Sequence, residues 1–238
     1  MLLYYVRHGD PIYHPDSLTE LGEAQAKALV KRLTLYGLDK IYCSTSIRAQ
    51  RTAKPTCDAL KKEPVLLDWT NEHYTWLEFT FLNEKGERDW FYCQDEYKVV
   101  FNSPEVRAMG NDWVNHPCFA NSDCAKGLKR VEENAYAFLE ELGFKYDSER
   151  CGYKVLKKNS DRVALFAHEG FGKVFLSVVL GIPYPYIATS FGFGHSSVTV
   201  VYFDENKDFV YPEVLQWSND SHLFNANLLT GYRNSIDI

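Results

Sequence analysis

The sequence predicts an α/β fold built on a mainly parallel sheet with an antiparallel edge, and three observations predict it. Short apolar, β-prone runs alternate with segments of helical spacing. Loops carrying histidine, arginine or glycine follow several of those runs. Near the carboxyl end, Val198 to Phe203 and Phe209 to Leu215 read as strands joined by the polar turn Asp204 to Asp208, hence a hairpin. With 238 residues, 45% of them hydrophobic, the chain is long enough for one sizeable core or a core with a smaller appendage.

The elements follow in order. Leu2 to Val6 is an apolar run that breaks at Arg7-His8-Gly9, a first strand ending in a loop. Ser17-Leu18-Thr19-Glu20 has the form of a capping box. Leu21, Ala24, Ala28 and Leu29 follow at helical spacing, and Tyr36-Gly37 closes that helix. Lys40 to Ser44 is a second strand, Ile47 to Leu60 a helix that Pro55 is expected to kink, and Pro64 to Asp68 a third strand. From Tyr74 to Leu128 the rhythm breaks, with Gly86, Pro104, Gly110 and Pro117 interrupting an aromatic-rich stretch. This stretch reads as an insertion over one end of the sheet. Leu128 to Leu142 is an amphipathic helix with Val131, Ala135, Phe138 and Leu139 on one stripe. Val163 to Ala167 is a continuous apolar strand, and Gly170 to Leu180 a helix closed by Gly181 and Pro183.

Composition excludes several classes. A net charge of −6 and a pI near 5.7 argue against a dedicated nucleic-acid binder, which needs a basic face. The longest apolar stretch, Val174 to Ile182, is broken by Ser177 and Gly181 and is too short to span a bilayer. Arg7 and His8 follow too closely on Met1 for a signal pattern. Six cysteines without a C-x-x-C pair then read as reduced thiols of a cytoplasmic protein, with ligand spacing poor for a structural zinc. Aromatics reach 15% and cluster from Trp69 to Phe101, where they form a small core, line a pocket, or do both.

Three strand ends carry the chemistry. Arg7 and His8 follow the first strand, Arg48 opens the helix after the second, and His168 with Glu169 and Gly170 follows Val163 to Ala167. A parallel sheet brings such carboxyl-terminal loops together at one edge. Taken alone, the Arg7-His8-Gly9 tripeptide fits an inert loop histidine equally well. The convergence points further, because cations about 4 Å apart repel by roughly 4 kcal/mol at an effective dielectric of 20. An anion must offset that, and phosphate suits arginine forks and helix amino termini.

These segments resemble the histidine phosphatase superfamily, the phosphoglycerate mutase-like group. Arg7-His8-Gly9 matches its R-H-G signature, and Leu18-Thr19-Glu20-Leu21-Gly22 with Gln25-Ala26 its L-T-x-x-G-x-x-Q-A segment. Ser44 to Ala53 resembles S-P-L-x-R-A-x-Q-T-A, Ala167-His168-Glu169-Gly170 the second-histidine segment, and Asn219 to Leu223 a tail segment. The resemblance implies a three-layer α/β/α sandwich in a single domain, residues 1–238, with the insertion of residues 74–128 acting as a cap. It implies that His8 is a nucleophile forming a phosphohistidine, and that Arg7, Arg48 and His168 hold the phosphoryl oxygens. His168 would serve as a cation, since an adjacent phosphate dianion raises a histidine's pKa. The main-chain N–H of Glu169 would add a donor while its carboxylate points away.

A proton donor for the leaving oxygen is expected after the third strand. Glu72 is the first choice, in Asn71-Glu72-His73-Tyr74, which resembles the mutase segment N-E-R-H-Y-G; Glu78 is the reserve. Departures follow the first motif, where Asp10 and Pro11 stand and His14 occupies a position usually held by asparagine. His14 either donates to the phosphate or is a surface histidine. Among the other histidines, His222 has the best claim to the pocket and His195 the second.

The implied activity is a phosphatase acting on a small phosphorylated metabolite. A cofactor-dependent phosphomutase (an isomerase using the same residues) is the alternative, and a phosphate- or nucleotide-binding module with low turnover is the second. Arg88, Lys98 and Arg107 in the insertion are expected to favour a small phosphorylated ligand. No metal or other cofactor is required, because cationic side chains can neutralise the transferring group. The sequence carries no reading of oligomeric state.

Overall fold

Side-chain alternation makes the first strand a two-faced core element, and it takes a central place in the sheet. In the computed structural model, which describes residues 1–83, 85–232 and 236–237, β1 (Leu2–Arg7) sends Leu3 and Tyr5 to one face and Tyr4 and Val6 to the other. Its sheet partners are β2 (Lys40–Ser44), β3 (Val65–Leu67), β4 (Arg162–Ala167), β5 (Val198–Tyr202) and β6 (Glu213–Asn219). Their order is β6-β5-β1-β4-β2-β3. β1, β4, β2 and β3 run parallel, with Leu3 opposite Val163 and Tyr42 opposite Val65. β5 runs antiparallel to both β1 and β6, so the reversed strand lies one place in from the edge.

Five helices bear on the site: α1 (Glu20–Thr34), α2 (Ile47–Leu60), α3 (Glu72–Glu78), α4 (Cys124–Glu141) and α5 (Glu169–Leu180). α1 and α2 cover one face of the sheet through Leu29, Leu33, Ala49 and Ala53. α4 and α5 cover the other through Val131, Ala135, Phe171 and Phe175, giving three layers. No helix of the described residues is long and apolar enough to cross a membrane.

Several sequence expectations shift. The cap of α1 is Thr19, whose hydroxyl accepts from the Gly22 N–H, because Ser17 and Leu18 instead pair with Ile12 and Pro11 in a small hairpin. The helix Ile47–Leu60, by contrast, has the expected bounds with Pro55 inside it. The predicted hairpin has the wrong second strand. Phe209 and Val210 pair with Lys154 and Tyr153 of a separate three-stranded sheet, and β5 pairs instead with Glu213–Asn219. Phe209 packs on Gly152, where any Cβ would fall 2.6 Å from its ring. That sheet's other strands, Phe144–Asp147 and Gly152–Val155, were not foreseen, nor was the helix Tyr184–Ser190. The aromatic insertion holds α3, a short pairing of Thr80–Leu82 with Arg88–Trp90, and brief helical turns.

Candidate active site

His8 extends β1, and its position is fixed from both sides. Its N–H donates to the Ala167 carbonyl (2.9 Å), and its own carbonyl accepts from the Ser196 N–H (3.0 Å). The ring Nδ1 lies 2.7 Å from the Gly9 carbonyl oxygen. A carbonyl can only accept, so Nδ1 carries the proton and the lone pair sits on Nε2. The loop beyond is pinned by Gly9 N–H to Thr52 Oγ1 (2.9 Å) and Asp10 N–H to Gln25 Oε1 (2.8 Å). These two contacts account for the threonine and glutamine in the sequence segments.

The other strand-end residues converge on it. The His168 ring centroid lies 5.2 Å from that of His8. Its Nε2 meets Ser44 Oγ (2.9 Å) and Ser46 Oγ (3.3 Å), while Nδ1 is buried with no hydrogen-bond partner, 3.7 Å from Glu72 Oε2. Tyr5 holds the His168 backbone, donating its hydroxyl to the carbonyl (2.5 Å) and accepting from the N–H (3.2 Å). Arg48, in the first turn of α2, donates to Asp16 Oδ1 (2.9 Å) and Glu72 Oε2 (3.0 Å). Glu72 Oε1 in turn accepts from the Gly170 N–H (2.9 Å) at the start of α5.

Arg7 is buried and donates to the Phe193 carbonyl (2.5 Å) and to His195 Nε2 (2.9 Å), and it pairs with Glu169 Oε2 (3.0 Å). His195 Nδ1 faces Asp10 Oδ1 at 3.4 Å, and the His195 and His8 rings stack at 6.0 Å.

The cluster lies at the base of a cavity of about 760 Å³. Arg7, His8, Arg48, Glu72, Glu169 and Gly170 line its floor; Tyr13 and His14 come from the small hairpin, and Trp76, Asp89, Trp90, Tyr92 and Cys93 from the insertion. His14 thus lies at the cavity, exposed. Glu78 does not line it: Arg130 grips that carboxylate at 2.8 and 2.7 Å. His222 is buried outside the cavity, its Nε2 on Ser196 Oγ at 3.0 Å, so His195 is the histidine that meets the site. Arg88, Lys98 and Arg107 also face elsewhere, toward Thr80, Asp95 and Asn102 respectively.

Two electrostatic expectations change. Burial first, then His168, Arg48 and Arg7, push His8 well below the ordinary histidine range. Burial, then Arg48 and Arg7, push His168 well below the ordinary histidine range as well, so its cationic form would depend on the adjacent phosphate dianion. The guanidinium charges are also not left for a ligand to offset: Asp16 and Glu72 balance Arg48, and Glu169 turns onto Arg7 instead of pointing away. Asp16 and His195 are the partners sequence reasoning undervalued. Donor atoms of His8, Glu72 and His168 lie within 4.8 Å of one another, close enough for a metal. Arg48 already occupies Glu72 Oε2, so a metal ion there would compete with that guanidinium.

Residues 3–97 match the family model described as histidine phosphatase superfamily, branch 1. No curated protein matches the chain. Among solved structures, a phosphoserine phosphatase from Entamoeba histolytica in complex with 3-phosphoglyceric acid is similar at 17% identity and TM-score 0.61, over 93% of this chain and 98% of that one. A mycobacterial glucosyl-3-phosphoglycerate phosphatase follows at 18% and 0.57, over 91% and 98%. A putative alpha-ribazole-5'-P phosphatase from Escherichia coli stands at 17% and 0.58, over 92% and 98%. At such identities the likeness is one of fold. Residues 3–97, which carry β1 to β3, His8, Arg48 and Glu72, are thus similar to the histidine phosphatase superfamily, and the chain as a whole shares its fold with these phosphatases.

Proposed function

We propose that the chain is a phosphatase that hydrolyses a small phosphomonoester through a phosphohistidine on His8. The observation that carries the reading is the His8 ring itself. Its proton is held on Nδ1 by Gly9, and burial and neighbouring cations keep it neutral, so an imidazole lone pair lies among Arg7, Arg48 and His168. In the reading, Nε2 attacks phosphorus and the bond to the alcohol oxygen breaks. Glu72, taking a proton from the phosphate monoanion as the substrate displaces it from Arg48, delivers that proton to the leaving oxygen. Water then attacks phosphorus, Glu72 takes its proton, and the P–N bond breaks to release phosphate.

Arg48, Arg7 and the first N–H groups of α5 would hold the phosphoryl oxygens during both steps. Glu72 and Glu169 engage some of these donors in the present structure, so a phosphoryl group would take over part of their hydrogen bonding. Trp76, Trp90 and Tyr92 support residues 74–128 as a cap, since they bring that segment to the cavity wall. The phosphatase activities named for the structural neighbours agree with the reading.

Phosphate release from a labelled phosphomonoester, with an acid-labile, alkali-stable label trapped on the protein, is the test. His8→Ala is expected to abolish the label and cut turnover by about 10³-fold or more. Undiminished turnover in that variant would overturn the proposal. Turnover is expected to survive chelation with EDTA. A phosphomutase would show little release and would need a bisphosphorylated primer, whereas a binding module would retain phosphate without turnover.

A further inference from the structure

We infer that the preferred substrate is a single-phosphate ester whose alcohol carries a planar ring and no second anionic group. The inference rests on the phosphatase reading of this site and narrows it. Above the floor, the cavity wall is aromatic. Trp76 meets Trp90 edge-on at 5.0 Å, and Trp90 stacks on Tyr92 at 5.4 Å and 23°. Trp90 also lies directly against the start of α5, since a Cβ on Gly170 would fall 2.2 Å from its Cη2. The ring wall therefore begins beside the N–H group that Glu72 accepts, within reach of the alcohol portion of an ester held there. Indole and phenol faces favour flat, apolar or π-bearing groups.

Charge decides the second half of the inference. Among the described lining residues, the guanidinium groups are Arg7 and Arg48, both at the phosphate end, and no lysine lines the cavity. Three carboxylates line it: Glu72, Glu169 and Asp89. Glu72 and Glu169 are paired with the two arginines. Asp89 is instead held by neutral donors, the Trp90 N–H at 2.7 Å and the Gln94 amide. A carboxylate or second phosphate on the alcohol would thus enter beside Asp89 with no lysine or arginine among the described lining residues to receive it there, only His14 and His73. Arg88, Lys98 and Arg107 of the insertion bond to Thr80, Asp95 and Asn102 and do not line the cavity.

The test compares kcat/KM for benzyl, cyclohexylmethyl and 4-carboxybenzyl phosphate, three esters of alcohols of similar basicity, together with 3-phosphoglycerate and phosphoserine. Benzyl phosphate is expected to exceed each of the others by at least about tenfold. Trp76→Ala and Trp90→Ala are expected to bring the benzyl to cyclohexylmethyl ratio toward one, mainly through KM. Asp89→Asn is expected to raise 4-carboxybenzyl phosphate relative to benzyl phosphate by several-fold, while thermal unfolding checks that each variant is folded. Equal or better turnover of the saturated or carboxylated esters by the unaltered protein would overturn the inference and leave the phosphatase reading standing. Release of phosphate from none of the five would overturn the phosphatase reading itself.

Discussion

At the scale of single residues, the site is governed by who holds each proton. Protonation of His8 removes the lone pair that attack requires, and burial together with His168, Arg48 and Arg7 disfavours the protonated ring. The depressed direction puts loss of activity on acidification well below pH 6.5, the free histidine value. The rate of phosphoenzyme formation in single turnover is therefore expected to hold through pH 6.5, and Arg48→Gln to move its acid limb upward. A limb centred at or above 6.5 in the unaltered protein would contradict this account. Glu169 gives a second expectation, since its carboxylate sits 3.0 Å from an Arg7 nitrogen that a phosphoryl oxygen would use. Glu169→Gln is expected to tighten competitive inhibition by inorganic phosphate by at least about tenfold, since one like charge about 4 Å away costs up to roughly 4 kcal/mol at an effective dielectric of 20. Most of this constellation was legible because Arg7, His8, Arg48 and His168 each sit at the end of a strand that apolar runs identify. Asp16 and His195 were harder to see. Each acts through a partner 32 or 188 positions away in the chain, and no local pattern encodes such a pairing.

Among the elements, close approach does what propensity cannot. Gly22, one turn into α1, lies so near the loop after His8 that a Cβ would fall 2.2 Å from the Asp10 carbonyl oxygen, a backbone atom. Gly22→Ala is expected to cost about 1–3 kcal/mol in chemical denaturation and to lower activity by displacing that loop. Gly170→Ala differs because its obstacle is a side chain, the Trp90 ring. Its activity is expected to fall and to recover in part when Trp90→Leu is added, whereas independent effects of the two changes would count against the contact. Elements buried on both faces were the legible ones: Lys40–Ser44 has the boundaries its apolar run suggests, and Arg162–Ala167 begins one residue early. The strands Phe144–Asp147 and Gly152–Val155 were not, because Phe144 and Tyr153 are buried against Phe203, at 4.9 and 5.5 Å. A contact across some fifty residues leaves no periodicity to read. The same reason explains the misassigned hairpin, whose Phe209 is drawn to Gly152.

For the whole molecule, the parallel sheet with one reversed strand both gathers the site and ties it to stability. β5 returns beside β1, so that Ser196, just before it, donates to the His8 carbonyl and bonds His222 through its hydroxyl. The tail helix carrying His222 is thereby joined to the strand end that carries His8. Burial first, then the nearby Arg32, push His222 down to about 4, with Asp220 opposing. The unfolded chain takes up a proton near pH 6.5 while the folded protein takes it up only near that lower value. Between those limits the unfolded state binds more protons, so stability falls as pH falls and stops falling once the folded histidine also titrates. The contribution is on the order of 3 kcal/mol at 1.36 kcal/mol per unit of pKa difference. His222→Gln keeps a group able to reach Ser196 but cannot be protonated. Chemical denaturation at pH 7.5 and 4.5 is therefore expected to show the unaltered protein losing about 3 kcal/mol more than the variant. Equal losses in the two proteins would mean that His222 is not held neutral by the fold, and that acid sensitivity arises in His8 and His168 alone or elsewhere in the molecule.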